Sequence, residues 1–180
     1  MKPPPVRILN VIVSSKVDSG LDIELLANKL HQAVYDPEVF PGLIYRRQKP
    51  KATIIMFSTG KITSVGSRSE RAARHSLNLM ARYIRRLTRK NVALSKISTE
   101  NVVAMSDVGC AVDVEKAVER KIKGTYDPEQ FPGFICRLKN SVTVLIFSSG
   151  KIICVGSKSE YEAKSSIHHM YSTLADLECL

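Results

Sequence analysis

The amino-acid sequence predicts an α+β fold that is built twice, and a long internal repeat is the main observation behind this prediction. The octapeptide Tyr-Asp-Pro-Glu-x-Phe-Pro-Gly at residues 35–42 returns at 126–133, and Phe-Ser-[Thr/Ser]-Gly-Lys-Ile at 57–62 returns at 147–152. The copies are offset by 91 and 90 residues, which is too long for a solenoid or a propeller blade and indicates a duplicated half-domain. The two repeats are predicted at residues 1–91 and 92–180.

The first repeat begins with a strand and a short helix. Residues 7–17 are rich in β-branched side chains and predict a strand. Asp22 is placed to start a helix. Residues 35–42 contain two prolines and a glycine and are expected to be irregular. Three further strands are predicted at residues 43–47, 52–58 and 61–65.

A basic amphipathic helix is predicted at about residues 69–89, with Ser67 or Ser69 as its N-cap. Its apolar positions are Ala73, Leu77, Met80, Ile84 and Leu87. A second face carries Arg71, Arg74, Arg82, Arg85 and Arg89. This arginine stripe suits either a solvated face or a partner-binding surface.

The second repeat shows the same order of elements. Strands are predicted at residues 96–106, 133–138, 142–148 and 151–155, and helices at about 112–122 and 159–177. In both repeats, three strands follow one another through short turns, so the sheet is expected to be antiparallel.

One face of this sheet is predicted to be an open binding surface. Residues 54–57 and 144–147 are apolar without alternation, yet two helices per repeat can cover only one face. An uncovered apolar face marks a binding site. It is framed by the basic residues Arg46, Arg47, Lys49, Lys51, Lys61, Arg137, Lys139 and Lys151.

The charge of the chain suggests a polyanionic partner. The formal net charge is +10, and the first 90 residues carry 17 Lys and Arg against 6 Asp and Glu, whereas residues 91–180 carry 10 against 11. Such a basic balance favours nucleic acid, with solubility alone as the alternative. The asymmetry suggests that the two halves meet different neighbours.

Several other classes are disfavoured by the sequence. The start of the chain, residues 1–5, lacks the apolar segment of a secretory signal, and no apolar run is long enough for a membrane span. We expect no cofactor, no catalysis and reduced thiols. The residues considered and set aside as catalytic or metal-binding are His31, His75, His168, His169, Cys110, Cys136, Cys154 and Cys179.

The two repeated motifs, together with Gly-Ser-[Arg/Lys]-Ser-Glu before each long helix, resemble the core domain of the TATA-box-binding protein family over essentially the whole chain. The resemblance implies a saddle with one curved antiparallel sheet of ten strands, one strand per repeat more than the residue pattern predicts. Its concave face would lie on the DNA minor groove and four helices on its convex side. This family kinks DNA with inserted apolar side chains.

The resemblance also implies roles for individual residues. The phenylalanines that part base steps would be Phe40, Phe57, Phe131 and Phe147, and the groove asparagines would be Asn10 and Asn101. Other residues of the groove floor would be Ile12, Thr53, Thr63, Val65, Val103, Ile153 and Val155. Phosphate contacts would come from Arg46, Lys51, Lys61, Arg137 and Lys151.

This chain departs from the family pattern in two ways. Val65 and Val155 stand where the family usually has threonine, and the segment 140–142 is one residue shorter, so the basic residue opposite Lys51 is missing. These changes bear on sequence preference and on the strength of DNA binding.

The resemblance implies protein partners as well. The stripe Arg71, Arg74, Arg82, Arg85 and Arg89 would meet the A-type initiation factor and other regulators. Asp127 and Glu129 would meet the B-type factor.

The leading hypothesis is therefore a nucleating factor for transcription that binds and bends A·T-rich double-stranded DNA. One alternative is a related protein-interaction module with weak or lost DNA binding, and another is an accessory domain of an enzyme, which the lack of an additional domain disfavours. The basic charge favours the nucleus, with an archaeal cytoplasm as the alternative.

Overall fold

The computed structural model describes residues 3–138 and 141–180. Lys139 of the predicted cationic frame, Asn140 of the shortened segment and the first two residues lie outside the described residues. The strands are β1 (Val6–Lys16), β2 (Ala33–Asp36), β3 (Phe40–Arg47), β4 (Ala52–Met56), β5 (Lys61–Ser67), β6 (Ser98–Asp107), β7 (Thr125–Asp127), β8 (Phe131–Arg137), β9 (Thr143–Phe147) and β10 (Lys151–Ser157). The helices are α1 (Ile23–Lys29), α2 (Glu70–Thr88), α3 (Val114–Glu119) and α4 (Glu160–Asp176).

All ten strands are antiparallel members of one sheet, five from each repeat. The strand order is β2-β3-β4-β5-β1 in the first repeat and β6-β10-β9-β8-β7 in the second. The second order is the first one read backwards, with each strand replaced by its counterpart. The repeat seen in the sequence is therefore a repeat of topology.

The chain divides into two compact units. One consists of Asn10–Glu100, and the other combines the described residues before Asn10 with those from Asn101 onward. The predicted division at residues 91 and 92 follows the sequence motifs, and it stays a prediction.

In each unit, two helices cover one face of the strands. Side chains alternate along β4 and β5, where Ile54, Met56 and Ile62 are completely buried. Their counterparts in β9 and β10, Val144, Ile146 and Ile152, are also completely buried. α2 packs on β4 and β5, and α4 packs on β9 and β10. The two cores are therefore built from equivalent positions.

Polar N-caps fix where the helices begin. The Ser69 Oγ accepts a hydrogen bond from the Ala72 backbone N–H at 3.2 Å, and the Ser159 Oγ accepts one from the Glu162 N–H at 3.1 Å. The Asp22 and Asp113 carboxylates cap α1 and α3 in the same way. Each bond satisfies a backbone donor that the first turn of a helix leaves unpaired. Of the two predicted caps of α2, Ser69 is the one used.

The expectation that residues 35–42 are irregular is wrong. β2 ends at Asp36 and β3 begins at Phe40, and these two residues are paired. Between them is a tight turn in which the Asp36 carboxylate accepts a hydrogen bond from the Glu38 N–H at 3.2 Å. The prolines of the motif lie in this turn and at the start of β3, where a missing N–H is tolerated. β7 and β8 repeat the arrangement.

Within residues 3–138 and 141–180, no helix is sufficiently long and apolar to cross a membrane.

Candidate nucleic-acid interface

The uncovered face of the first repeat carries the side chains that alternate with the core. Ile44, Ile55 and Thr63 form one row across β3, β4 and β5, and Thr53 and Val65 form part of the next. All five are half-buried, because no helix covers them. The only polar groups in these two rows are threonine hydroxyls. Such a surface can pack against the floor of a DNA groove.

The second repeat presents the same surface. Ile135, Leu145 and Ile153 form one row, and Thr143 and Val155 lie in the next. These side chains are again half-buried. The predicted open apolar face is therefore present in each unit.

Two phenylalanine pairs lie at corresponding places in the two units. The ring centroids of Phe40 and Phe57 are 5.8 Å apart with an interplanar angle of 63°. Those of Phe131 and Phe147 are 5.8 Å apart at 65°. Phe40 is 36% exposed, although phenylalanine is one of the residue types most often buried in a protein core. Each pair can act as one apolar wedge.

A glycine makes room for each pair. A Cβ added to Gly42 would lie 2.6 Å from the Phe40 Cε1 and 2.9 Å from the Phe57 Cε1. A Cβ on Gly133 would meet Phe131 at 2.7 Å and Phe147 at 2.9 Å. The Phe-Pro-Gly motif therefore has a physical reason: any side chain at the glycine would displace the rings.

The predicted asparagines are bound to bulges in the neighbouring strands. The register of β1 against β5 shifts between Val11 and Val13, and Gly66 at φ 94° lies in this bulge. Its N–H donates to the Asn10 Oδ1 at 2.8 Å. In the other unit, the N–H of Gly156, at φ 90°, donates to the Asn101 Oδ1 at 2.9 Å.

These hydrogen bonds decide what the asparagines offer to a ligand. Because each Oδ1 already accepts a backbone N–H, the Nδ2 group remains as a donor. The minor-groove edges of A·T and T·A pairs present only acceptors. Both amides are half-buried within their strands, as the fifth residue of β1 and the fourth of β6.

The two valines pair with threonines. Thr53 is opposite Val65, and Thr143 is opposite Val155. Val65 and Val155 directly precede the bulge glycines, so a hydroxyl at either place would lie beside a bound asparagine. Each repeat keeps one hydroxyl in this row, contributed by β4 or β9.

The predicted cations Arg46, Lys51, Lys61, Arg137 and Lys151 are all exposed. Their surroundings differ between the units: Lys61 is paired with Lys16, whereas Lys151 is paired with Asp107. Adjacent like charges repel unless an anion lies between them. The first repeat therefore has the stronger positive potential at this corner.

Sequence reasoning missed four residues that the strand pairing brings onto these faces. They are Lys16, Ile44, Ile135 and Thr143. Ile55 and Leu145 were predicted only as members of the apolar runs 54–57 and 144–147. The repeat itself could have found Thr143, because it occupies the position of Thr53 in the second copy.

The predicted partner-binding arginines fall into two groups. Arg71 and Arg82 are exposed on α2. Arg74 donates to the Ile97 carbonyl at 2.8 Å and to the Thr99 hydroxyl at 3.2 Å, and Arg85 donates to the Val92 carbonyl at 2.8 Å. These two guanidinium groups hold the segment that follows α2. Arg89 is the left-handed C-cap of the helix.

The predicted acidic contacts lie on the exposed turn between β7 and β8. Glu129 is exposed, and the Asp127 carboxylate accepts a hydrogen bond from the Gln130 side chain at 2.8 Å. Glu129 is therefore the more available of the two.

The thiols are placed as structural side chains. Cys136, Cys154 and Cys179 are buried, and Cys110 is exposed. Burial raises the pKa of the Cys136 thiol to about 12 and also raises the pKa values of Cys154 and Cys179. Such thiols are weak nucleophiles at neutral pH. Among the described residues, no group of three or more His, Cys, Asp or Glu side chains could hold a metal ion.

Comparison with known proteins agrees with this geometry. The family model described as "Transcription factor TFIID (or TATA-binding protein, TBP)" matches residues 5–87 and 96–177. The chain belongs to the TATA-binding protein family. One matched segment falls in each of the two predicted repeats.

Named relatives cover almost the whole chain. A TATA-box-binding protein of Pyrobaculum islandicum is 35% identical over 98% of this chain and 89% of its own length. One of Methanocaldococcus jannaschii is 34% identical over 97% of this chain and 96% of its own length.

The solved structure of Methanococcus jannaschii TBP matches with a TM-score of 0.80 at 34% identity and covers 96% of this chain and 99% of that one. The predicted fold class is confirmed, and so is the family that the motifs indicated.

Proposed function

We propose that this protein binds the minor groove of A·T-rich promoter DNA, bends it, and nucleates assembly of the transcription initiation machinery. One observation carries the proposal: each unit presents the same set of a phenylalanine pair, a bound asparagine amide and an apolar row. Membership of the TATA-binding protein family supports it.

The chemistry of this set fits an A·T minor groove. The apolar rows cannot accept the amino group that guanine places in the minor groove, so a G·C pair would leave that donor desolvated and unpaired. The asparagine Nδ2 groups can donate to the acceptors that A·T pairs present. The phenylalanine pairs can enter unstacked base steps, at a cost of a few kcal/mol per step that wider contact must offset.

Three sets of duplexes test this proposal. The first contains an A·T-rich site, the second replaces its central pairs by G·C, and the third replaces them by hypoxanthine·C. Hypoxanthine lacks the guanine amino group, so its minor groove resembles that of A·T while its major groove resembles that of G·C. We expect the first and third duplexes to bind with similar affinity and the second at least tenfold more weakly.

Equal binding of all three duplexes would contradict groove recognition. Fluorescence transfer between the duplex ends reports bending in the same samples.

The second candidate is a protein-interaction module with weak DNA affinity, and Val65 and Val155 favour it, because each removes a hydroxyl beside the groove amides. It predicts micromolar or weaker binding to all three duplexes and no bend.

The proposal also includes protein partners and a cellular location. The exposed turn with Glu129 would contact the B-type initiation factor, and exposed Arg71 and Arg82 would contact the A-type factor or other regulators. The relatives named above are archaeal, which supports an archaeal cytoplasm over a nucleus.

A further inference from the structure

The helical side of the second repeat contains a groove of which the DNA-binding proposal uses one residue, Arg137. It has a volume of about 1080 Å³ and lies between α4, the segment after α3 and the end of β8. Its α4 side runs from Ser159 to Leu177, about 27 Å at 1.5 Å per residue. We call it the α4 groove. It is larger than most small-molecule pockets and is long enough for about four turns of a helix.

The floor of the α4 groove is apolar. Met170 and Val142 are buried in it, and Ile122, Leu138 and Leu177 are half-buried around them. Tyr161, which is 81% exposed, lies on the rim. Aromatic and methionine side chains of this kind are enriched at protein interfaces.

The rim of the α4 groove is cationic, although the second half of the chain has a slightly negative net charge. Its basic residues are Arg120, Lys121, Lys123 and Arg137, against one acidic residue, Glu162. Within residues 3–138 and 141–180, none of these four cations forms an ion pair with a carboxylate. The Glu162 carboxylate already accepts the Lys158 backbone N–H at 2.7 Å.

The first repeat offers an internal comparison. Its corresponding groove beside α2 has a volume of about 460 Å³. Tyr45 and Tyr83 line that groove, whereas the second repeat has Cys136 and Thr173 at the same positions. Arg47 there corresponds to Leu138. At the lining of the groove, Thr173 in place of Tyr83 and Leu138 in place of Arg47 thus remove one aromatic ring and one charge in the second repeat.

From the apolar floor, the cationic rim and the length, we propose that the α4 groove binds an acidic amphipathic helix of a partner protein. Leucine-type side chains at helical spacing would fill the floor, and flanking carboxylates would meet the four rim cations. This binding would leave the apolar rows and the phenylalanine pairs free for DNA, and only Arg137 would be shared.

The test uses the full chain and a fluorescein-labelled synthetic peptide of about 16 residues, with leucines on one helical face and glutamates beside them. A second peptide carries lysines instead of glutamates, and a third has the composition of the first with its leucines scattered. We expect the first peptide to bind at least tenfold more tightly than either of the others in fluorescence anisotropy.

Variants locate the binding. Thr173→Tyr with Leu138→Arg copies the first repeat into the α4 groove and should weaken binding of the first peptide at least tenfold. Lys121→Glu with Lys123→Glu should weaken it similarly, whereas Tyr83→Thr in the other groove should leave it unchanged. Thermal melting and retained binding to the A·T-rich duplex check that each variant folds.

Three results would overturn the proposal. They are equal binding of all three peptides, binding that survives Thr173→Tyr with Leu138→Arg, and a protein dimer in sedimentation that this double variant abolishes. The last would identify a second copy of the chain as the occupant.

Discussion

The exposed sheet faces of the two repeats agree closely, whereas their helices do not. The phenylalanine pairs have the same 5.8 Å separation, and the two asparagine–glycine hydrogen bonds measure 2.8 and 2.9 Å. α2 contains five arginines, but α4 contains one lysine and three acidic residues.

The difference has a physical reason. The exposed sheet faces of both repeats must fit the same kind of ligand surface, whereas the helical faces are under no such requirement. In the proposed function, a double helix offers similar grooves and phosphates at both ends of a site, so each unit would need the same phenylalanine pair and the same amide donor. On the helical side nothing imposes such a repeat, and the two units can serve different partners.

The largest expected effect comes from removing one wedge at a time. Phe131→Ala with Phe147→Ala, and separately Phe40→Ala with Phe57→Ala, should each weaken binding to an A·T-rich duplex on the order of 100-fold, about 2.7 kcal/mol. Each should also reduce the bend measured by fluorescence transfer. Because the pairs have the same geometry, the two losses should agree within a few-fold.

A variant that unfolds would show instead that its rings are part of the core, and a variant that bends DNA like the parent would rule out the wedge.

A smaller loss is expected from filling the space beside the rings. Gly42→Ala and Gly133→Ala each place a Cβ within 2.9 Å of both phenylalanines of the pair, so the rings must move. We expect about a tenfold loss of affinity, roughly 1.4 kcal/mol, with little change in melting temperature. Affinity unchanged in both variants would mean that ring position does not limit binding.

The charge difference between the two units can be removed with one substitution. Lys16→Asp gives Lys61 the same kind of neighbour that Lys151 has in Asp107. If about five cations neutralise phosphates, the slope of log K against log salt should be roughly −4.5 in the parent. The variant should have a slope smaller in magnitude by about one to two, measured in a salt titration. Lys29→Asp, on α1, is the control and should leave the slope unchanged.

Restoring threonine tests the groove amides. Val65→Thr with Val155→Thr should change the ranking of A·T-rich sites, with effects on the order of 1 kcal/mol for the sites where a new hydrogen bond forms. Competition binding among sites that differ only at central pairs measures the ranking. An unchanged ranking would indicate that these positions do not contact bases.

The smallest effect on DNA should come from the helical side. Arg82→Glu with Arg86→Glu should change affinity for naked DNA less than about threefold, because both residues are exposed on α2. Arg85 is unsuitable for this test, since its guanidinium holds the Val92 carbonyl. Loss of DNA binding as large as that of a phenylalanine pair would place α2 at the DNA.

The sequence predicted most of the fold because the repeat supplied two independent copies of each signal. The starts of the first repeat's helices followed from Asp22 and Ser69, and the buried and open faces followed from apolar patterns. The edge strands β2 and β7 could not be predicted, since they are four and three residues long and are followed by proline turns. Short edge strands owe their structure to the pairing partner more than to their own residues.

The candidate site was predicted less completely than the fold. The wedge residues, the asparagines and the bordering cations came from motif resemblance, whereas Lys16, Ile44 and Ile135 follow only from strand register. Register depends on bulges such as the one at Gly66, and these cannot be located from periodicity alone.

The segment after α2 has a consequence for dividing the chain. Residues 88–95 are outside the match to the family model. Even so, the Ser95 N–H donates to the Lys16 carbonyl, and the Lys16 N–H donates to the Ser95 hydroxyl. Arg85 and Arg74 bind the carbonyls of Val92 and Ile97. The segment is therefore hydrogen-bonded to the first unit as part of its fold and does not act as a flexible linker. A fragment cut after residue 91 would leave both guanidinium groups without their carbonyls, whereas one that runs to Glu100 would keep them.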